Sequence, residues 1–285
     1  MIIFKSSFYI VEVKAGLLIA AVFFAMGKPN YTVKSVVKAL NILSVFSFES
    51  PTLFPLEISK KLSLPMSTVH RLIKTLEMLG LLEQEPFTGR YHIGLKTFEL
   101  GSLYFHQTSL RAEAFPLLQE LARKTNETVH LSVLDEGEIV FIEKIDSSHG
   151  IGMLSRVGRR APAHATASGK VLLAHLPEKE REGFLVRKKL KRCTERTVTA
   201  PQRLRGELIK VAAQGYSLDE EENERGIRCV AAPIWDHSGT VVASISVSGP
   251  AHRLTRGRIL QDLVPQVKDT AGHISQRLGY QRTVH

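Results

Sequence analysis

The segment from residue 53 to residue 93 constrains the fold of this chain more than any other stretch. Pro55 suits the first turn of a helix, where its missing N–H costs nothing, and Pro65 is preset to begin a second helix. Gly80 is typical of a residue that ends a helix. Residues 81–93 then indicate two short strands around a tip of turn-forming residues. This order predicts a winged helix-turn-helix: a helix, a tight turn, a second helix and a β-hairpin.

The second helix of this motif is expected to bury one face and expose the other. Its apolar residues recur at three- and four-residue steps, at Val69, Leu72, Ile73, Leu76 and Leu79. The other face offers hydroxyl, imidazole, guanidinium and ammonium groups, which suit the major groove of double-stranded DNA. We therefore predict DNA contacts from Ser67, Thr68, His70, Arg71, Lys74 and Thr75, and from Arg90 on the hairpin. The alternative interpretation is an ordinary amphipathic helix and hairpin inside another kind of domain.

Charge supports this interpretation less than the motif does. The chain has 285 residues and a formal net charge of +10, which suits a polyanionic partner. Only two of these charges come from residues 31–94, so the motif and not the bulk charge predicts DNA binding. The only two cysteines, Cys193 and Cys229, lie far apart in sequence, which is typical of a reducing cytoplasm and argues against a disulfide scaffold.

Residues 1–30 differ in character from the rest of the chain. Their apolar run, residues 16–26, is too short to span a bilayer, so we predict no membrane partner. A secretion signal would be inconsistent with DNA binding. We expect the natural chain to begin at Met26 and residues 1–30 to form a non-native or disordered extension.

The remaining sequence indicates a third helix of the DNA-binding domain, a connecting helix and a second domain. Residues 35–46 predict a helix with an apolar stripe at Val36, Val37, Leu40 and Leu43 that packs under the recognition helix. Residues 95–105 predict a helix that either links the domains and contacts a second copy or only caps the first domain. We place the winged helix-turn-helix at 31–94, the linker helix at 95–109 and the second domain at 110–280.

The second domain is predicted to be α+β, with helices packed on one antiparallel sheet. Helical periodicity occurs at 110–124, 168–175, 178–184, 202–214 and 255–278, with bends expected near Pro116 and Pro265. Strand-like runs occur at 128–134, 139–145, 151–157, 216–218, 227–233 and 240–248, the last two joined by a hairpin.

Several separated motifs, in this order, resemble the IclR family of bacterial transcription regulators over residues 31–280. They are PMSTVHRLIKTL at 65–76, YHIG at 91–94, AHATASGK at 163–170, GIRCVAAP at 226–233 and SISVSGP at 244–250. The resemblance implies a GAF-like effector-binding domain after the linker helix. It also implies dimers, often paired into tetramers, that bind pseudo-palindromic operators and respond to small organic acids or aromatic metabolites.

An effector pocket is expected where two features of the second domain meet. The helix beginning near Ser168 offers free N–H groups that suit a carboxylate, and the alternating serines of 244–248 offer a row of hydroxyls. The family resemblance assigns effector contacts to Ala167, Ser168, Asp219, Cys229, Ser246 and Ser248, with Met153 at the pocket wall. Each has a structural alternative: the serines as packing residues, Cys229 as an inert core thiol and Asp219 as part of a solvated acidic loop.

Enzymatic motifs are missing from the sequence. Gly169-Lys170 lacks the glycine spacing and the hydroxyl residue of a phosphate loop, and there is no nucleophile elbow, zincin helix or paired-cysteine metal spacing. We therefore predict no catalytic residues, no metal and no cofactor. A hydrolase-like enzyme with a helical accessory domain, or a nonspecific DNA-architectural protein, is the alternative function.

Overall fold

The computed structural model describes residues 32–107, 109–149 and 155–281, which fall into two compact units with a boundary after Gln107. The predictions for residues 1–30 and for Met153 lie outside these described residues. The linker helix is predicted at 95–109, and the helix in this region runs over Leu95–Gln107, so that it ends where the first unit ends.

The first unit is a winged helix-turn-helix, as predicted. Its elements are α1 (Lys34–Leu43), α2 (Pro55–Leu62), α3 (Met66–Met78), β1 (Leu82–Gln84), β2 (Tyr91–Ile93) and α4 (Leu95–Gln107). The strands β1 and β2 pair antiparallel, with Leu82 opposite Ile93. One small core holds the three-helix part and the hairpin together, formed by Ile42, Ile58, Val69, Ile73, Leu76, Leu82 and Tyr91. The prolines and Gly80 therefore set the helix limits where the sequence indicated.

Two apolar stripes differ from the prediction. Leu79 is 54% exposed because α3 ends at Met78 and Leu79 lies in the cap, where the chain turns away from the core. In α1, Val36 and Leu40 are exposed and Ile42 is the buried residue, because α1 meets the core only near its C-terminal end. These corrections change which side chains pack and leave the element order unchanged.

The second unit is built on a six-stranded antiparallel sheet with the strand order β5-β4-β3-β8-β7-β6. The strands are β3 (Thr128–Asp135), β4 (Glu138–Ile145), β5 (Arg160–Pro162), β6 (Ser217–Glu220), β7 (Ile227–Trp235) and β8 (Val241–Pro250). The helices are α5 (Ser109–Thr125), α6 (Ala167–Ala174), α7 (Glu178–Arg187), α8 (Pro201–Gln214), α9 (Arg256–Arg258) and α10 (Val264–Arg277). A 3₁₀ turn (Ala163–Ala165) precedes α6, and a π-helical turn (Ile259–Leu263) precedes α10.

The helices of this unit cover both faces of the sheet. Helix α6 packs against β7 and β8 and is itself contacted by α8, while α10 packs against α5 and β7. The predicted α+β class is therefore confirmed. Within the described residues, no helix is both long and apolar enough to cross a membrane.

The region before α6 differs from the strand predicted at 151–157 in the part that is described, since residues 151–154 lie outside the described residues. Residues 155–157 are not part of a strand, and the edge strand β5 lies further on, at Arg160–Pro162. Gly158, with a φ of +82°, turns the chain, and its N–H donates to the carbonyl oxygen of Phe141 at 2.7 Å. The regular pairing with β4 therefore begins only after this turn, where Arg160 lies opposite Val140. Pro116 lies inside a continuous α5, whereas the irregularity expected near Pro265 is present as the π-helical turn.

Candidate functional site

The polar surface of α3 is the candidate DNA-binding surface of the first unit. The side chains of Ser67, His70 and Arg71 are exposed, and Thr68 is half-buried beside them. Because Val69, Ile73 and Leu76 anchor the other side of the helix, these polar groups face solvent at its N-terminal half. The geometry is that of a helix whose N-terminal residues can reach base edges.

Two of the predicted DNA-contact residues on α3 already have partners within the unit. Lys74 Nζ lies 2.7 Å from a carboxylate oxygen of Glu77 and 5.6 Å from the centre of the Tyr91 ring. The Thr75 hydroxyl donates to the carbonyl oxygen of Arg71 at 2.9 Å. Both remain exposed, but a DNA contact has to compete with these bonds.

Arg90 lies against α2 and not at the tip of the wing. Its guanidinium carbon is 4.3 Å from the centre of the Phe54 ring, and Nη1 donates to the carbonyl oxygen of Thr52 at 3.2 Å. The same nitrogen lies 3.6 Å from Glu57. The structure therefore gives Arg90 a role in fastening the hairpin, while the tip itself presents a fully exposed Phe87 that the sequence analysis did not single out.

A cavity of about 250 Å³ in the second unit brings the predicted effector contacts together. It lies between the sheet and the start of α6, and its lining includes Ala167, Ser168, Asp219, Cys229, Ser246 and Ser248. Strand register explains the assembly, because Asp219 pairs with Cys229 and Cys229 pairs with Ser248 across β6, β7 and β8. Residues distant in sequence thus form one polar row on the cavity side of the sheet. We call this row, together with Ser246, the cavity floor.

The start of α6 forms the opposite wall. Gly169 allows this helix to lie against the preceding 3₁₀ turn, since a Cβ there would come within 2.2 Å of the Ala163 carbonyl oxygen. The Thr166 hydroxyl accepts a hydrogen bond from the Gly169 N–H at 3.1 Å and caps the helix. Ala167 and Ser168 occupy the first turn, where N–H groups lack partners within the helix. The Ser168 hydroxyl is buried with no hydrogen-bond partner among the described residues, so this wall offers donors to a ligand.

Asp219 is buried in the cavity and is not part of a solvated loop. Burial raises the pKa of its carboxyl group to about 7, although N–H donation from Glu222 and Asn223 and the nearby Lys170 charge act in the opposite direction. The Glu222 N–H lies 2.7 Å from Asp219 Oδ1. Near neutral pH the group therefore exists in both forms, and its protonated form can donate a hydrogen bond to an anion.

His130 is a cavity residue that the sequence analysis missed. It lies opposite Ser246 in the β3–β8 pairing, and its Nε2 is 2.7 Å from the Ser155 hydroxyl. Burial, reinforced by Lys144, lowers the pKa of the ring to about 3, so His130 is neutral at pH 7. The alternation of Thr128, His130 and Ser132 along β3 is the signal that indicates a second polar row facing the serines of β8.

Cys229 is a thiol of low reactivity that also lines the cavity. Burial, with the Asp219 charge, raises the pKa of its thiol well above the ordinary value, which makes it an unreactive group. It nevertheless lines the cavity next to Ser248. Within the described residues, no group of three or more His, Cys, Asp or Glu side chains is placed to hold a metal ion.

Comparison with known proteins identifies the family of both domains. Residues 35–86 match the IclR helix-turn-helix domain, and residues 102–276 match the C-terminal domain of the bacterial transcriptional regulator IclR. The chain is 39% identical over 248 residues to the HTH-type transcriptional regulator XynR of Escherichia coli K12, covering 87% of this chain and 98% of XynR. It is 41% identical over 255 residues to the regulator KdgR of the same organism, covering 90% of this chain and 96% of KdgR.

Solved structures show the same architecture. A crystal structure of an IclR homologue of Microbacterium hydrocarbonoxydans complexed with 4-hydroxybenzoate is 28% identical, with a TM-score of 0.76, and the match covers 86% of this chain and 99% of that one. The relatives are named as transcriptional regulators, a function that is not enzymatic. The matched domains, the polar surface of α3 and the cavity lead to one conclusion: this chain belongs to the IclR family and is a ligand-responsive, DNA-binding transcription regulator.

Proposed function

We propose that the chain binds a pseudo-palindromic operator as a dimer, which can pair into a tetramer, and that a small carboxylate in the cavity changes its operator affinity. The observation that carries the effector part is the convergence, in one cavity, of the start of α6, the floor hydroxyls and a carboxyl group that can be protonated near pH 7. Because its DNA partner is cytoplasmic in a bacterium, so is the regulator.

Exposed apolar residues in the first unit support a dimer contact. Leu95, Phe98 and Leu103 on α4 are 66%, 71% and 57% exposed, and Val36 and Leu40 on α1 are also exposed. A group of large apolar side chains at the surface is typical of a protein interface. A second copy of the chain is the partner proposed for α4, and it sets the two copies of α3 about 34 Å apart, in successive major grooves.

The four residues at the start of α3 are proposed to carry operator recognition. Ser67, Thr68, His70 and Arg71 have no competing ion pair among the described residues, and an Arg side chain can recognise guanine by two hydrogen bonds. Lys74 and Thr75 are proposed to contact phosphates after exchanging their present partners. Arg90 is proposed to act mainly by holding the hairpin against α2. Any contact of its guanidinium group with the DNA backbone is proposed to occur while the group stays stacked on the Phe54 ring.

A carboxylate with an apolar or aromatic body fits the cavity best. The amides of the first turn of α6 and the Ser168 hydroxyl suit the carboxylate, and the rings of His130 and Phe141, with centres 4.9 Å apart and planes tilted by 45°, line the cavity with aromatic surface. The homologue crystallised with 4-hydroxybenzoate supports this ligand class. A ligand that binds two conformations of the domain with different affinity shifts their populations, and thereby operator binding, by the difference in binding free energy.

Operator binding is tested by selecting genomic DNA fragments on the purified full chain at moderate salt and sequencing them. We expect enrichment of an inverted repeat, which Arg71→Ala should reduce. Uniform recovery of fragments, with affinity that depends steeply on salt and not on sequence, would identify a nonspecific architectural protein and refute the proposal.

Effector binding is tested by calorimetric titration with 4-hydroxybenzoate and with its amide, which keeps the ring and hydroxyl but lacks the negative charge. The acid should bind and the amide should not. Asp219→Ala and Ser246→Ala should each weaken binding, while Ser238→Ala in the exposed β7–β8 turn serves as the control. Unchanged affinity in both cavity variants would remove the cavity assignment.

A further inference from the structure

A second cavity of about 370 Å³ lies beside β6, between it and α8. It shares no described lining residue with the effector cavity. Lys170 closes its inner end, where the ammonium group is 2.5 Å from Glu222 Oε1 and 3.4 Å from Glu207. This cavity has no part in the regulator function derived above.

Two deeply buried polar atoms at this cavity have no partner. Ser217 is 1% exposed and Glu222 is 7% exposed, and both line the cavity. The hydroxyl oxygen of Ser217 and Oε2 of Glu222 make no hydrogen bond with any described residue. Because burying a polar atom without a hydrogen bond is unfavourable, two such atoms at one cavity favour a bound polar molecule there.

The rim of the cavity carries cations that are weakly engaged. Lys210 is exposed and has no partner among the described residues. Arg203 Nε lies 3.6 Å from Glu207, and Arg256 Nε lies 3.9 Å from Glu220, both too far for a good hydrogen bond. Counting Lys170 and Arg196, the lining has five cationic and three acidic side chains, a surplus that suits a dianion.

We propose that this cavity is a binding site for a small hydroxy-dicarboxylate. The two carboxylates of such a molecule match the rim cations Arg203, Lys210 and Arg256. Its hydroxyl group can donate to Glu222 Oε2 and accept from the Ser217 hydroxyl, which satisfies both buried atoms at once. Chloride and sulfate lack the donor that Glu222 requires.

The test is calorimetric titration of the full chain with L-malate, succinate and L-lactate. L-Malate should bind with one molecule per chain. Succinate, which lacks the hydroxyl, and L-lactate, which lacks one carboxylate, should each bind about fivefold to tenfold more weakly, the loss expected for one hydrogen bond or ion contact.

Four variants locate the bound malate. Ser217→Ala and Lys210→Gln should each weaken malate binding by about fivefold or more, and Lys210 is a surface residue whose change leaves the core intact. Lys179→Gln, a matched exposed lysine on α7, should leave it unchanged, as should Ser246→Ala in the effector cavity.

Three results would overturn the proposal. The first is no binding of L-malate to the wild-type chain. The second is malate binding that Ser246→Ala weakens and that Ser217→Ala and Lys210→Gln do not, since the anion would then occupy the effector cavity. The third is equal affinity for malate and succinate, because the ligand hydroxyl would then make no contact with Ser217 or Glu222.

Discussion

Replacing Asp219 by asparagine should make the effector domain more stable at high pH and leave its stability at low pH almost unchanged. Burial raises the pKa of this carboxyl group from 3.8 to about 7 in the folded chain. A group with a raised folded pKa contributes its full stability below pH 3.8 and loses it as the pH rises through 7, because the unfolded chain releases the proton first. At about 1.4 kcal/mol per pH unit, the loss reaches about 4 kcal/mol above pH 7.

Asparagine has no proton to lose, and its side-chain oxygen can still accept the N–H groups of Glu222 and Asn223. The free energy of unfolding of Asp219→Asn should therefore exceed that of the wild type by about 4 kcal/mol at pH 8, and the difference should vanish near pH 4.

Urea unfolding followed by tryptophan fluorescence measures this difference. The only tryptophan, Trp235, lies in β7 of the second unit, so its emission reports this domain. Asp269→Asn, a change at an exposed aspartate on α10, is the control and should show no comparable pH-dependent gain. A difference that stays constant from pH 4 to pH 8 would show that Asp219 titrates normally and would refute the reasoning.

Two further predictions concern the other site residues. Arg71→Ala should cost about 1–3 kcal/mol of discrimination between operator and mutated operator, as measured by fluorescence anisotropy. Lys61 is an exposed lysine in the last turn of α2, and Lys61→Ala should slightly weaken binding to all sequences and reduce its salt dependence. Equal losses on all DNA for both variants would contradict the docking of α3. Gly169→Ala should lower the free energy of unfolding of the effector domain in urea by about 1–3 kcal/mol, because the new Cβ would lie 2.2 Å from the Ala163 carbonyl oxygen. Gly272→Ala in α10, which has open space around it, is the control and should not destabilise the domain. Equal stability of the two variants would refute the close approach.

Local signals made the first unit predictable. Pro55 and Gly80 act on the backbone at their own positions, so the helix limits followed from the sequence alone. The position of the Arg90 side chain could not be predicted in this way, because it depends on Phe54 and Thr52, which precede it by more than thirty residues. The three-residue strand β5 has no apolar alternation, and its position is set by the turn at Gly158.

The cavity was predictable to the extent that its residues lie in recognisable motifs. Ser246 and Ser248 show the alternation of a strand, and both line the cavity whereas Ile245 and Val247 do not. His130 could only be placed once β3 and β8 were known to be neighbours. The raised pKa of Asp219 likewise results from burial by segments far away in the chain, which no single stretch of sequence records.

The alternation along β8 separates ligand recognition from the packing of the core, two properties that are often linked in ligand-binding proteins. Ser246 and Ser248 belong to the cavity floor, whereas Ile245 and Val247, which alternate with them, point to the other face of the sheet and are fully buried. A change of side chain at a floor position therefore alters what the cavity recognises without removing an apolar contact on the other face. Within such a strand, new ligand preferences can arise by single substitutions while the architecture persists, which makes this domain well suited to evolutionary diversification of its signal.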